Sequence, residues 1–563
     1  MGGAMVPVDA GVRLPVPRPR IVARSMPGRP GAAVPEPRGG DLRTRTTVLL
    51  MLAVVAVATG VRVWRIDALG FNSDEAVYAG QAASLAGNAR YADLFPVFRA
   101  HPMIVQIVLS PLFRHGEADV AGRLVVAGFG VATVLVVYLL GARLYGRRVG
   151  VLAALLVALM PYHVVVTRQV LLDGPMVLFA TLTLYLIVRY VQDQRSIWFM
   201  AVGAMLGMTM LAKESSVVLA AAVYAFFALT PSVRRPVRAG LLAVPVLAAV
   251  FATNYVAQHL AGRSDTGRNY LVWQLMRRPN HSMTFYAETV PAAIGLAVLL
   301  AAAGGLWWLR RDRSWRETLL ICWVAATAVA FELWPVKGYQ YLLPIVAPVA
   351  VLAARGLLAV PLPDRLVLPR LALPGRAARP VRGFPVPRRV AGRDTRTLVR
   401  ASATAAVVLS LLVPTWLAVN QSDNATFLAG SGGIPGGRAA GRWLAANTPA
   451  GSRVLTLGPS MANILQYYGH RQCFGLSVSP NPLHRNPSYT PLPNPDSALR
   501  HNEMQYIAWD RYSAERSRFF SENLLELARR FHGRVVHTET VTGTDARGGA
   551  ARVPVIVIYE VRP

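Results

Sequence analysis

Asp74 and Glu75 stand side by side in the first polar stretch after the first long apolar segment, in Phe71-Asn72-Ser73-Asp74-Glu75-Ala76-Val77-Tyr78. Two adjacent carboxylates just outside a membrane span point to chemistry at a membrane surface, although loops there also carry acids for solubility. What favours chemistry is the placing of the other charges: Arg99 and His101 in the same loop, Arg168 and Asp173, Lys213 and Glu214, then Glu332, Lys337, Tyr339, Gln340 and Tyr341. The loop from Gln258 to Glu288 adds His259, Arg263, Asp265, Arg268, Arg277, Arg278, His281 and Tyr286. Charged groups at the ends of many separate helices are costly to bury, and on one face they usually line a polar cavity. The cations among them run against the usual charge bias of membrane loops, so the cavity is expected to hold an anion; a phosphate at the membrane surface suits.

The elements that must position these residues are membrane helices. The chain has 563 residues, 53% hydrophobic and 16% charged, with a formal net charge of +30. Most of its Arg lies in short blocks between apolar runs, a membrane pattern and not that of a basic module on nucleic acid. Apolar stretches long enough to cross a hydrocarbon core of about 30 Å fall at about 46–63, 120–142, 148–166, 172–191, 197–212, 214–231, 237–257, 288–309, 316–334, 338–360 and 402–419, about eleven in all. Met103 to Phe113 is too short to span and reads as a juxtamembrane helix in the interface.

Residues 1–45 carry eight Arg against three acids with no apolar period, the composition of a disordered basic arm. The arm is too long and Pro-rich for a cleaved signal peptide, so 46–63 reads as an uncleaved anchor and the amino terminus as cytoplasmic. With that parity the basic connections Arg143–Arg148, Gln192–Arg195, Arg234–Arg238 and Arg310–Arg316 lie inside. So does a linker at 361–401, whose stretch from Pro361 to Arg400 has ten Arg, two Asp and seven Pro. The positive-inside rule is satisfied throughout. The first outer loop, 64–119, and the carboxyl-terminal part, 420–563, then lie on the outer side.

From Gln421 to Pro563 the composition turns soluble. Arg438–Asn447 and Met461–Gly469 read as helices, Val454–Gly458 and Tyr506–Asp510 as strands, and Ser513–Phe531 as helical. Val535–Val541 and Val553–Val561 read as a closing antiparallel pair. A small α/β domain results, with a long irregular loop from Ser479 to Asp496. Trp443, Tyr489, Trp509 and Tyr512 are expected to pack its core or to bind glycan. Cys322 and Cys473 fall too far apart to pair.

Taken in order, Asp74-Glu75, His101-Pro102, Arg168-Gln-Val-Leu-Leu-Asp173, Leu211-Ala-Lys213-Glu214 and Lys337-Gly-Tyr-Gln-Tyr341 resemble polyprenyl-phosphate-dependent glycosyltransferases of the GT-C fold. Protein O-mannosyltransferases and the aminoarabinose transferase of lipid A are the nearest in pattern, and the resemblance spans about 46–360, the expected catalytic membrane domain. His101-Pro102-Met103-Ile104 departs from the His-Pro-Pro of that group. The resemblance implies transfer of a sugar from a polyprenyl-phosphate carrier to a hydroxyl on a protein, lipid or polysaccharide acceptor, with inversion. It implies Asp74 as general base and Glu75 as its orienting partner, since neighbours on a helix do not share a face.

Lys213, then Arg168 and Lys337, are the expected phosphate ligands, although each position also suits a cation that snorkels to headgroups. Arg99, His101, Asp173, Glu214, Tyr339 and Tyr341 are expected donor or acceptor contacts. For three of these a plain role competes: Asp173 in an ion pair with Arg168, His101 as a cap on the juxtamembrane helix, and the tyrosines as interfacial anchors. No cofactor is required, but Asp74 with Glu75 is also the pair that would hold a divalent ion, as acidic pairs do in GT-C relatives with pyrophosphate donors. Alanine- and arginine-rich composition points to a bacterial plasma membrane. A transporter or lipid flippase would instead show repeats and charges at the midplane. An envelope assembly scaffold would not need so many spans. The sugar, the acceptor and the oligomeric state are not legible.

Overall fold

The computed structural model describes residues 41–98, 101–262, 270, 272–359, 365–366, 384–385, 389–390, 393–420, 433–486, 488–544 and 550–563. Most of the basic arm, Arg99, Arg263, Asp265, Arg268 and most of the 361–401 linker lie outside the described residues. From Leu42 to Pro563 the chain forms one compact unit.

Among the described residues, seven helices are long and apolar enough to cross a membrane: α1 (Thr44–Val63), a second at Asp119–Tyr145, and others at Asp173–Asp193, Val237–Leu260, Phe285–Trp308, Tyr339–Ala359 and Thr397–Asn420. The remaining expected spans are also helical, but shorter, interrupted or, at Trp315–Leu333, more charged. One breaks at Met160 into Arg147–Leu159 and Pro161–Val166 because Pro161 has no N–H to continue the ladder. Others run Ser196–Ala212, Glu214–Leu229 and Trp315–Leu333.

Between the first two crossings lie α2 (Ser73–Leu85) and α3 (Ile104–Phe113), which supply the outer face of the site. The second crossing is called α4 (Asp119–Tyr145) below. The α3 stretch is the expected short helix. Its N-cap is Met103, without any side-chain cap, so His101 does not cap it.

The carboxyl-terminal part carries a five-stranded sheet: β1 (Arg453–Thr456), β2 (Gln472–Gly475), β3 (Tyr506–Asp510), β4 (Arg534–Thr544) and β5 (Ala550–Glu560). The order is β2-β1-β3-β5-β4, with β1 parallel to both β2 and β3, and β5 antiparallel to both β3 and β4. Alternation along β3 divides the core. Tyr506 and Ala508 join the large cluster continuous with the membrane helices, whereas Ile507 faces a separate cluster with Leu455, Leu524 and Ala528. The expected closing pair is β4 and β5. The expected single helix from Ser513 is two, Arg511–Arg516 and Arg518–Arg530, because Asp510 caps the first through Ser513 N (2.7 Å) and Ser517 leaves helical geometry. Strand β2 was not expected; four residues are too few to show a period.

Helix α5 (Pro459–Gly469) joins this sheet to the membrane part. Its Tyr468 hydroxyl accepts from Phe71 N at 2.7 Å and donates to Asp119. Asn463 donates to Ser73 Oγ at 3.0 Å and Gln466 to Leu94 O at 2.6 Å. At the rim Arg438 pairs with Asp67 and Arg442 with Glu117.

Candidate active site

The position of Asp74 follows from its neighbour. Asn72 and Glu75 form a reciprocal capping box: Asn72 Oδ1 accepts from Glu75 N (2.9 Å) and Glu75 Oε2 from Asn72 N (3.0 Å). The fully buried Glu75 carboxylate also accepts from Arg123 Nε (2.8 Å), Arg123 Nη2 (2.8 Å) and Val170 N (2.9 Å). Those four bonds occupy the lone-pair sites of a carboxylate. Glu75 therefore holds the start of α2 and has nothing left for a substrate or for an ion shared with Asp74.

Arg123, inside α4, is equally saturated. Besides Glu75 it donates to Ile66 O (2.8 Å), Leu69 O (2.8 Å) and Gly70 O (2.9 Å), so each of its five N–H groups has one acceptor. One buried guanidinium thus fixes the 66–70 turn and the α2 N-terminus together. Asn72 Nδ2 adds a bond to Gln169 Oε1 at 2.8 Å. Sequence reading missed Arg123; its signal was an Arg inside an apolar span, opposite an Asn-x-x-Glu capping pattern.

Asp74 points the other way. Its side chain is open to water, yet Lys213, His101 and Glu75 lie close enough to act on its charge and the surrounding protein strips part of its hydration. Loss of hydration pushes its pKa above the ordinary carboxylate value; Lys213 and His101 oppose the rise and Glu75 adds to it. Tyr78, one turn along the same face, stacks edge-on with His101 at 5.9 Å between centroids.

The charged residues around Asp74 form pairs. Lys213 Nζ donates to both oxygens of Asp173, at 2.8 and 2.9 Å, and lies 4.9 Å from the centre of the Tyr341 ring. His101 Nδ1 lies 3.0 Å from each oxygen of Glu214, and its Nε2 is 3.2 Å from Tyr270 OH. Lys337 Nζ donates to Glu332 O at 2.5 Å, with Glu332 Oε1 at 3.4 Å and the Tyr286 ring at 5.9 Å. Its backbone is held to Asn280 by two bonds of 2.8 and 2.9 Å.

Two expectations change. Asp173 pairs with Lys213 and not with Arg168, because Arg168 is spent on backbone carbonyls: Nη2 to Trp64 O (2.5 Å) and Nη1 to Val419 O (3.4 Å). Arg168, 1% exposed, ties the end of α1 to the last crossing and is not in the Lys213 group. Tyr339 packs on Tyr162, whose hydroxyl donates to Tyr339 O, so it sits in the core while Tyr341 faces Lys213.

Other residues enter from distant parts of the chain. Arg277 stacks on Trp273 at 4.5 Å and has no carboxylate partner among the described residues. Its charge and that of Asp74 both act on Tyr489, whose pKa burial pushes up to about 12. Asn463 reaches Ser73 from the carboxyl-terminal part, and Tyr489 and Tyr512 of that part lie close enough for the Asp74 charge to act on them. Trp443 stacks on His537 and Trp509 bonds Ser521 Oγ, both within that part.

Residues 100–260 match the family model described as dolichyl-phosphate-mannose-protein mannosyltransferase. No curated protein sequence matches the chain. Among solved structures, ArnT from Cupriavidus metallidurans bound to undecaprenyl phosphate aligns with a TM-score of 0.63 and 16% identity, over 92% of this chain and 98% of that one. Its apo form gives 0.64 and 15%, over 91% and 98%. The oligosaccharyltransferase AglB from Archaeoglobus fulgidus, in complex with an inhibitory peptide and a dolichol-phosphate, gives 0.53 and 13%, over 90% and 74%. With its membrane helices, its outer loop helices and its small terminal sheet, the chain is a multi-span membrane protein of the GT-C fold, the fold of the glycosyltransferases it matches.

Proposed function

We propose that the protein transfers a sugar from a polyprenyl-phosphate carrier to a hydroxyl acceptor on the extracytoplasmic side of a bacterial plasma membrane. The observation that carries this reading is Asp74: a carboxylate without a hydrogen-bond partner among the described residues, open to water near Lys213 and His101 and fixed from behind by the Glu75–Arg123 pair. In this reading Asp74 takes the acceptor proton while Lys213, Lys337 and Arg277 draw charge onto the departing phosphate. Glu75 is a positioning residue. Attack from the face opposite the phosphate inverts the anomeric carbon in one displacement and needs no second carboxylate nucleophile. The amino terminus is cytoplasmic, and the first loop and terminal α/β part lie outside.

Lys213 retains a third N–H beyond the two given to Asp173, and its buried ion pair keeps the cation in place between carriers. The donor site is tested with undecaprenyl phosphate added to the detergent-purified protein, reading the rise in melting temperature. A ligand that binds only the folded state stabilises it by mass action. The double variant Lys213→Met with Asp173→Asn avoids stranding a buried carboxylate. It is expected to weaken carrier binding by about tenfold or more, the loss of one charge-assisted bond. Unchanged affinity would remove Lys213 from the phosphate site.

The environment of Asp74 also sets a pH dependence. A base must be ionised to act, so the acid limb of kcat/KM is expected to lie above 3.8, the ordinary aspartate value. An acid limb at or below that value would mean that another group is the base.

A further inference from the structure

Beside the charged group around Asp74, a cleft of about 210 Å³ opens between α2 and the carboxyl-terminal sheet. One wall is the outer face of α2, with Val77 and Gln81, and the turn at Asp93; the other is Asn463, Gln472 and Tyr489. Three links join its inner end to Asp74. Val77 follows Asp74 by three residues and shares its helix face. Asn463 bonds Ser73, the residue before Asp74. Tyr489, in the cleft wall, feels the Asp74 charge directly.

The chemistry of the cleft differs from that of the charged group. The chain carries a net charge of +30, yet no Lys or Arg lines this cleft among the described residues. Its polar groups are amides, hydroxyls and one carboxylate, Asp93, with Asp93 and Gln472 exposed and Gln472 on the edge strand β2, while the half-buried Tyr489 supplies an aromatic ring. A phosphate would go to the cations near Asp74, where it can be neutralised. Amides, which donate and accept at one group, and the Asp93 carboxylate, which accepts, suit a ligand whose hydroxyls do both, and the ring of Tyr489 suits the apolar side of a sugar. The volume is below the roughly 300 Å³ at the small end of drug-sized pockets, which fits the end of a chain.

We infer that this cleft binds the acceptor, and that the acceptor is the hydroxyl-rich terminus of a neutral glycan. This rests on the transferase reading above for the word acceptor, but not for the ligand class. A sugar seated between Asp93 and Gln472 presents a terminal hydroxyl toward Asp74. On transfer that oxygen bonds the anomeric carbon, the bond from that carbon to the carrier phosphate breaks, the hydroxyl proton passes to Asp74, and the phosphate leaves with the electron pair.

The test uses the full-length protein in lipid nanodiscs. Binding of short mannan, glucan, galactan and arabinan oligomers is read by saturation-transfer NMR, and a Ser/Thr-rich peptide is offered in parallel. Wild type is expected to bind at least one glycan and no peptide. Gln472→Trp, which fills the cleft from an exposed position, is expected to weaken that binding about tenfold or more with the melting temperature retained; Gln472→Ala is expected to do so less. In a transfer assay the same variant should raise the glycan KM more than it lowers kcat. A protein that binds no glycan, or that glycosylates the peptide instead, overturns the inference. Equal binding by wild type and Gln472→Trp overturns the site. Glycan binding without any donor turnover would count against the transferase reading while leaving the cleft a glycan site.

Discussion

Asp74→Asn is expected to lower sugar transfer about a thousandfold, within the ~10²- to 10⁴-fold range for a positioned acid–base group, and to raise the melting temperature at neutral pH. Both effects come from one cause. The carboxylate is open to water, but the protein around it leaves it incompletely hydrated, so its pKa in the folded protein is raised above the unfolded value. A group raised in this way binds its proton more tightly when folded, so folding is disfavoured once the pH is above both pKa values. The amide has nearly the same shape and no charge, so it removes the penalty together with the base. The stability gain should disappear as the pH falls below the unfolded aspartate value, where wild type is also neutral. Thermal melts of both proteins across pH read the first effect, and initial rates read the second. A variant that lost activity and stability together would instead mark Asp74 as part of the scaffold.

The largest expected loss of stability is at Arg123→Met. Its guanidinium meets five acceptors, and its removal leaves Glu75 buried with two fewer donors and three loop carbonyls without partners. Breaking a buried pair by removing one partner costs about 3–5 kcal/mol. Removing Glu75 as well takes away the stranded charge, so Arg123→Met with Glu75→Gln should be less destabilised than the sum of the single changes. Denaturant or thermal unfolding in detergent, arranged as a double-mutant cycle, measures that coupling. Additive losses would mean that the two side chains do not act as a unit. Activity should fall in Arg123→Met even where the protein survives, because the start of α2 is no longer held.

How much of this is legible in the sequence depends on distance along the chain. The membrane helices can be read because apolar runs are local, and Asp74, Lys213 and Lys337 can be singled out because each interrupts such a run or borders it. The partner of a charge is not local. Asp173 lies five residues from Arg168 but pairs with Lys213, forty residues on; sequence proximity favours the wrong cation. Glu75 looks like half of a catalytic pair until Arg123 is seen beneath it. The capping pattern Asn72-x-x-Glu75 was the available sign that this carboxylate faces inward. His101 reads as a helix cap by position and is drawn off instead by Glu214.

The terminal sheet follows the same rule. Strands β3, β4 and β5 carry runs of Val, Ile and aromatic residues and can be read. The short edge strand β2 is recognised only by its pairing with β1. The seating of Asn463 against Ser73, across 390 positions, has no local signature at all, and with it the cleft wall opposite α2 stays hidden.

The central claim, that Asp74 activates an acceptor against a polyprenyl-phosphate sugar, is tested most directly by donor turnover. Purified protein in nanodiscs is offered a panel of polyprenyl-phosphate sugars with an envelope extract as acceptor, and free polyprenyl phosphate is measured, with Asp74→Asn alongside. Release from at least one donor by the wild type, and its loss in the variant, is the expected result. Release that persists in Asp74→Asn, or no release from any donor by folded wild type, would contradict it.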